Sequence, residues 1–190
     1  MNSIGDYEVE VEDGNSVLKE IFRPDYAKTR ELESGKVRLT GWHQHVIRKI
    51  EHRLKQDGAP QHGLNYVRRR LIIHGLGKVI EDVGGTLEKL EKKYDAWIEN
   101  YDRRENQRNK KASIIGDIDG RDRVTIFMEE NDFGRIRELS EIFYISIDSM
   151  ERIAIAYTIL ELDAIIDSVI IEEAQKDIEE FKEHIRSVAL

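Results

Sequence analysis

Two hydrophobic rhythms run along the chain. Short stretches of period two precede longer stretches of helical period, and this order occurs twice. Residues 1–35 stand apart as a weakly structured N-terminal arm. Within it only Tyr7-Glu8-Val9-Glu10-Val11 alternates, a candidate strand before Asp13-Gly14. Lys36-Val37-Arg38-Leu39-Thr40 then alternates briefly after Ser34-Gly35. Helical spacing follows in Val46, Ile47, Ile50 and Leu54 until Asp57-Gly58-Ala59-Pro60 interrupts it. Leu64, Val67, Leu71, Ile72, Leu76, Val79 and Ile80 predict a second helix that stops at Gly84-Gly85. Residues 86–111 predict a third. Its stripe of Leu87, Leu90, Tyr94, Trp97, Ile98 and Tyr101 reads as core or oligomer seam rather than as a ligand box.

After the loop Gly116-Asp117-Ile118-Asp119-Gly120 the order recurs. Arg123-Val124-Thr125-Ile126-Phe127-Met128 predicts a strand, and Glu129, Glu130 and Asp132 place acids where a helix N-terminus favours them. Phe133, Ile136, Leu139, Ile142 and Phe143 form a helical stripe. Ser146-Ile147-Asp148-Ser149 reads as a cap region, with Glu151 three residues after Asp148. From Met150 the pattern predicts one long helix to about Arg186. The chain therefore divides into an arm (1–35), a first strand-helix-helix unit (36–84), a linker helix and loop (85–120), a second unit (121–165) and an acidic C-terminal helical extension (166–190).

Composition narrows the class. Apolar residues make up 39% of the 190 and charged residues 36%, with only 2 Pro and no Cys. This suits a mainly α protein with wide solvated faces, without disulfides, thiol nucleophiles or Cys-based metal sites. No apolar run is long enough to span a membrane, and the first residues lack the basic and apolar regions of a secretory signal, so a cytoplasmic location is expected. The net charge of −8 argues against a nucleic-acid partner until it is divided. Residues 36–80 hold ten Lys/Arg against two acids, a net +8, and five of the six His. Residues 112–190 hold eight basic against nineteen acidic groups, a net −11. The asymmetry points to an anionic partner for the first unit.

The doubled pattern resembles the ribbon-helix-helix fold of the MetJ/Arc superfamily of DNA-binding proteins. Arg123-Val-Thr-Ile-Phe-Met-Glu-Glu-Asn-Asp-Phe, followed by Ile136-Arg-Glu-Leu-Ser-Glu-Ile-Phe-Tyr-Ile-Ser-Ile-Asp-Ser-Met-Glu-Arg-Ile-Ala-Ile-Ala, looks like that family's strand, acidic helix start, first helix, capped turn and second helix. In the first copy Leu64 to Leu76 looks like the second helix, whereas Gly41-Trp42 and the longer turn depart from the pattern. The resemblance implies two units whose strands pair antiparallel. They come either from one chain as an intramolecular pseudo-dimer or from two copies as a homo-oligomer. It implies double-stranded DNA as partner, entered by the ribbon through the major groove, and a transcriptional regulator or repressor as function.

Alternation assigns the faces. Val37, Leu39, Val124, Ile126 and Met128 point to the core; Lys36, Arg38, Thr40, Arg123, Thr125 and Phe127 point outward. The resemblance makes Lys36, Arg38, Thr40, Arg123 and Thr125 base-facing. It places phosphate contacts near Gly63, Asn65 and Ser146 at the second helices' N-termini, with Arg48, Lys49 and Arg68 nearby. Phe127, which offers no hydrogen bond, and Asp148, which repels phosphate, depart from this scheme. Arg68, Arg69 and Arg70 cannot share one face, since successive helical residues turn about 100°.

Other chemistry is not signalled. His43, His45, His52 and His62 include no His-x-x-x-His pair with an acidic companion, so no metal is expected. No phosphate-binding loop, dinucleotide fingerprint or nucleophile elbow is present, and Asp117 to Gly120 lacks the ligand set of a calcium loop. Neither catalytic residues nor a cofactor are expected. The alternative function is a helical, antitoxin-like adaptor that uses the fold for dimerisation and takes a protein partner on its acidic C-terminal helix.

Overall fold

The structure, a computed structural model, describes residues 14–22, 32–57, 63–84, 88–92 and 123–188. In chain order the elements are α1 (Gly14–Ile21), β1 (Glu33–Arg38), α2 (Gly41–Gln56), α3 (Leu64–Val83), β2 (Arg123–Met128), α4 (Glu130–Ile142), α5 (Ile147–Leu160) and α6 (Ser168–Val188). The fold is mainly helical with one two-stranded antiparallel sheet, in which β1 pairs with β2. No described helix is long and apolar enough to cross a membrane.

Both strands lead into a helix after one or two residues, so each strand-helix pair is locally encoded. Their pairing, Lys36 opposite Thr125, is distant in sequence and depends on the helices beneath. Val37, Leu39, Ile126 and Met128 are fully buried there. β1 starts at Glu33, three residues before the alternation at Lys36 becomes readable, so Ser34 and Gly35 belong to the ladder. Gly35 breaks the visible pattern for a packing reason: a Cβ there would lie 2.7 Å from the Phe133 ring of α4, which presses on the inner face of the ribbon.

The centre of the core is the crossing of α3 and α5. α5 is buried at every residue from Ser149 to Ile159. Each large aliphatic side chain so removed from water contributes about 1.5–3 kcal/mol. The backbones come close because α3 carries Gly75 at the crossing, directly under the Ala154 carbonyl. The Thr158 hydroxyl on α5 donates to the Leu71 carbonyl at 2.6 Å. α2 adds Val46, Ile47, Ile50 and Leu54 to the core; α4 adds Phe133, Ile136 and Leu139.

Between α4 and α5 the chain turns through Tyr144, which has a positive φ of 56°. The Ile145 N–H bonds the Ser140 carbonyl and the Tyr144 N–H bonds the Glu141 carbonyl, the double C-terminal closure in which glycine is the usual left-handed residue. Ser146 then caps α5, accepting from the Ser149 N–H at 3.1 Å. Glu151 is no part of that cap; it is buried on α5.

Two expectations need correction. The N-terminal arm contains a helix: Leu18, Ile21 and Phe22 are buried in the core, and Arg70 Nε donates to the Ile21 carbonyl at 2.6 Å. The long C-terminal helix is two helices. Between α5 and α6 residues 161–167 form turns that bury Leu162 and Ile166, and the Asp167 carbonyl accepts from Ile170 and Ile171 to open α6. Thus α6 folds back on α5 and α2 and buries Ile170, Ala174, Ile178 and Phe181. In the linker, 88–92 are helical and Leu90 is buried against Gly84. Leu87, Tyr94, Trp97, Ile98, Tyr101, the Asp117–Gly120 loop and the Tyr7–Val11 strand lie outside the described residues.

Two glycines on one helix give opposite predictions. Gly75→Ala drives a methyl into the Ala154 carbonyl and brings it 2.8 Å from Thr158 Oγ1, so it should lower stability by about 3 kcal/mol. Gly77→Ala meets nothing within 4 Å and should raise stability by up to about 1 kcal/mol. Urea midpoints of the two variants check this; equal shifts would contradict the close crossing.

Candidate functional site

The ribbon has one buried and one open face. The open face carries Ser34, Lys36 and Arg38 on β1 and Arg123, Thr125 and Phe127 on β2, in the pairs Ser34–Phe127, Lys36–Thr125 and Arg38–Arg123. Lys36, Thr125 and Arg123 are exposed, Phe127 keeps 42% of its surface, and Arg38 is half-buried. Thr40 does not belong to this face. It stands at the N-cap of α2, where its Oγ1 lies 2.5 Å from His43 Nδ1. Ser34 occupies the place expected of Thr40, and extending the alternation of Lys36 and Arg38 back across Gly35 would have found it.

Helix caps reveal how the strands correspond. Thr40 precedes α2 and Glu129 precedes α4, a separation of 89 residues. The same step carries Arg38 to Phe127, Lys36 to Thr125 and Ser34 to Arg123. The register is symmetric under this exchange, with the Lys36–Thr125 pair at its centre. Copies taken to begin at Lys36 and Arg123 are therefore misaligned by two positions.

Two clasps hold the ribbon edges. Asn65, second residue of α3, accepts from the Phe127 N–H at 2.8 Å and donates to the Phe127 carbonyl at 3.5 Å. Asp148, second residue of α5, accepts from the Arg38 N–H at 3.1 Å, and Arg152 donates to the Arg38 carbonyl at 2.9 Å. Thus α3 binds β2 and α5 binds β1, the Asn65 and Asp148 contacts each coming from the second residue of the helix. Because these backbone groups face away from the opposite strand, Arg38 and Arg123 form a non-hydrogen-bonded pair, in which side chains approach most closely. Opposed like charges are unfavourable. Asp148 offsets this one, its carboxylate lying 3.8 Å from Arg38 Nε.

The residues proposed for phosphate contact separate. Arg48 and Gly63 are exposed, and Gly63 starts α3 with no acidic residue in the first turn. Lys49 is ion-paired with Asp167, fastening the α5–α6 turn to α2. Asn65 and Ser146 are occupied by the clasp and the cap, so neither is a spare phosphate ligand. In the arginine triplet, Arg70 closes α1, Arg69 lies 5.7 Å from the Tyr66 ring centre, and Arg68 packs half-buried. Desolvation, with the Arg48 charge, lowers the pKa of Arg68. Lys78 bonds Glu161 at 2.8 Å. Asp148, Glu161 and Asp167 therefore neutralise part of the basic block, while Lys36, Arg48 and Arg123 have no ion-pair partner among the described residues.

Beneath the Arg38 end lies a polar cluster not foreseen from sequence. His43 is fully buried, stacks on Trp42 at 3.7 Å between ring centres, and has Nε2 3.6 Å from Asp177 of α6. Burial and the Arg152 charge push the His43 pKa down to about 3, so the imidazole is neutral. Burial and Glu180 push the Asp177 pKa up to about 7, opposed by Arg152. Asp148, Asp177, Glu151 and Glu180 surround the Arg152 guanidinium, and burial and Asp148 raise the Glu151 pKa well above its ordinary value. His45 and His52 are exposed, His62 lies outside the described residues, and no metal-binding cluster occurs among those described.

No family model matches the chain, and no curated protein or solved structure matches it either.

Asn65→Ala removes the clasp at Phe127. It should cost about 1 kcal/mol and accelerate hydrogen exchange of the Phe127 amide; an unchanged exchange rate would count against the clasp. Asp177 sets a pH dependence. Its folded pKa of about 7 exceeds the unfolded 3.8, so the folded state holds a proton that the unfolded state has lost. Stability contributed by this group is full below pH 4, falls as pH rises to 7, and is level above. Asp177→Asn should therefore exceed the parent protein at pH 8 by on the order of a few kcal/mol, the gap closing near pH 4. A pH-independent gap in denaturation midpoints would refute this.

Proposed function

We propose that this protein is a double-stranded DNA-binding regulator built from two ribbon-helix-helix units of one chain. The β1–β2 ribbon enters the major groove with Lys36, Arg38, Arg123 and Thr125 towards the bases. The observation that carries this reading is the open ribbon face: cationic and hydroxyl side chains on one side, a buried apolar face on the other, and strand edges fixed by Asn65, Asp148 and Arg152. A two-stranded ribbon fits the major groove, where each base pair shows a distinct pattern of donors and acceptors. Arg48 and the N-terminus of α3 flank the ribbon as phosphate contacts. The regulator acts by occupying its site and excluding other proteins.

One observation favours the second reading, an adaptor that takes a protein partner on α6. The pairing of Arg38, Lys49 and Lys78 with acids reduces the charge available to DNA. Salt dependence separates the two. If about four phosphates are contacted, log K should fall with log salt with a slope of about −3.6. Arg123→Ala should cost about 1–3 kcal/mol of sequence-specific binding. Fluorescence anisotropy with labelled double-stranded fragments measures both; no binding at low salt would sink the DNA reading and leave the adaptor.

A further inference from the structure

A ribbon made from two identical chains would present the same residues at both ends. This ribbon does not. Its register is symmetric about Lys36–Thr125, yet every exchanged position holds a different residue: Ser34 for Arg123, Lys36 for Thr125, Arg38 for Phe127. One end therefore carries two opposed arginines. The other carries Phe127 opposite Ser34, with no charge on the open face.

The backbone does not share this asymmetry. Arg38 and Phe127 are each bound at both N–H and carbonyl from the opposite unit. The two ends thus have like geometry and unlike chemistry. The flanking helices are polarised in the opposite sense. Beside the arginine end α5 carries Asp148 in its first turn, whereas beside the phenylalanine end α3 has no acid in its first turn and carries Arg68 one turn on. Base reading by charge is concentrated at one end, and the terminus better suited to a phosphate stands at the other.

Resting on the DNA reading above, we propose that the ribbon binds DNA in one orientation only, at a non-palindromic site with guanine under the Arg38–Arg123 end and thymine under the Phe127 end. Arginine pairs bidentately with the guanine major-groove edge, and phenylalanine packs on the thymine C5 methyl. Lys36 favours a guanine acceptor at the centre, and Thr125 adapts to either base. The inverted repeats that two-fold ribbons require are not needed here.

Selection of the full chain against a random double-stranded oligonucleotide pool tests this. The expected consensus is asymmetric, with a conserved guanine end and a thymine end. Phe127→Ala should abolish the preference at the thymine end, with roughly a tenfold loss for the selected site, and leave the guanine end unchanged. The triple variant Arg123→Ser, Thr125→Lys, Phe127→Arg gives both strands the same outward residues and should select an inverted repeat with guanine at both ends. All three positions are exposed, and the variant exchanges one like-charge pair, at Arg38–Arg123, for another opposite Lys36, so its melting temperature should stay near the parent's. An inverted-repeat consensus from the parent protein would overturn the orientation while leaving DNA binding intact. An asymmetric consensus whose ends ignore these substitutions would overturn the side-chain assignment. Failure to retain any duplex at low salt would instead overturn the DNA reading itself.

Discussion

A two-stranded ribbon has two edges and no neighbour for either. Every backbone N–H and carbonyl that points sideways must find a partner or stay hydrated. Much of this molecule follows from how that demand is met. Asn65 serves the Phe127 edge; Asp148 and Arg152 serve the Arg38 edge. The clasp on β2 comes from α3 and the clasp on β1 from α5, so neither strand is completed by the helix that directly follows it. The α3–α5 crossing at Gly75 brings the clasping helices close enough to reach across.

The halves meet this shared demand with different means. The neutral amide of Asn65 suffices at Phe127, because it both accepts and donates. At Arg38 the work is divided between an anion and a cation, and the buried cation then needs compensation. Asp148 supplies negative charge beside Arg152, while Asp177 on α6 and Glu151 on α5 lie close by with pKa values pushed up by burial. The folding-back of α6 is thus tied to the ribbon, because it delivers Asp177 beside Arg152 and His43. On the other side α1 covers α3 and is closed by Arg70.

Sequence made the repeated local order legible because its signals lie within single elements: period two in Val124, Ile126 and Met128, helical spacing in Val46 to Leu54 and in Phe133 to Ile142. It left open which strands meet, those of one chain or like strands of two copies; the pairing of β1 with β2 is visible only in the structure. Less visible features depended on partners remote in the chain. Glu161 to Ser168 contains neither Gly nor Pro, so nothing local announces the break before α6; it forms because Leu162 and Ile166 turn into the core. Gly35 hides two strand positions, because the alternation is interrupted to admit Phe133. Asn65 and Asp148 look like ordinary first-turn residues until the opposite strand is placed beside them. Val17, Leu18, Ile21 and Phe22 have helical spacing, but four apolar positions among polar neighbours are too few to stand out from a weakly patterned arm.

Both strands of the ribbon are covalently part of one polypeptide. Where a two-stranded ribbon is assembled from separate subunits, its formation is a bimolecular event, and dilution favours the dissociated, unfolded chains. Here ribbon closure is unimolecular and carries only a loop-closure cost that grows slowly with the length of the intervening chain. Pairing of β1 with β2 therefore does not itself depend on protein concentration. A substitution on one strand changes that strand alone rather than both at once.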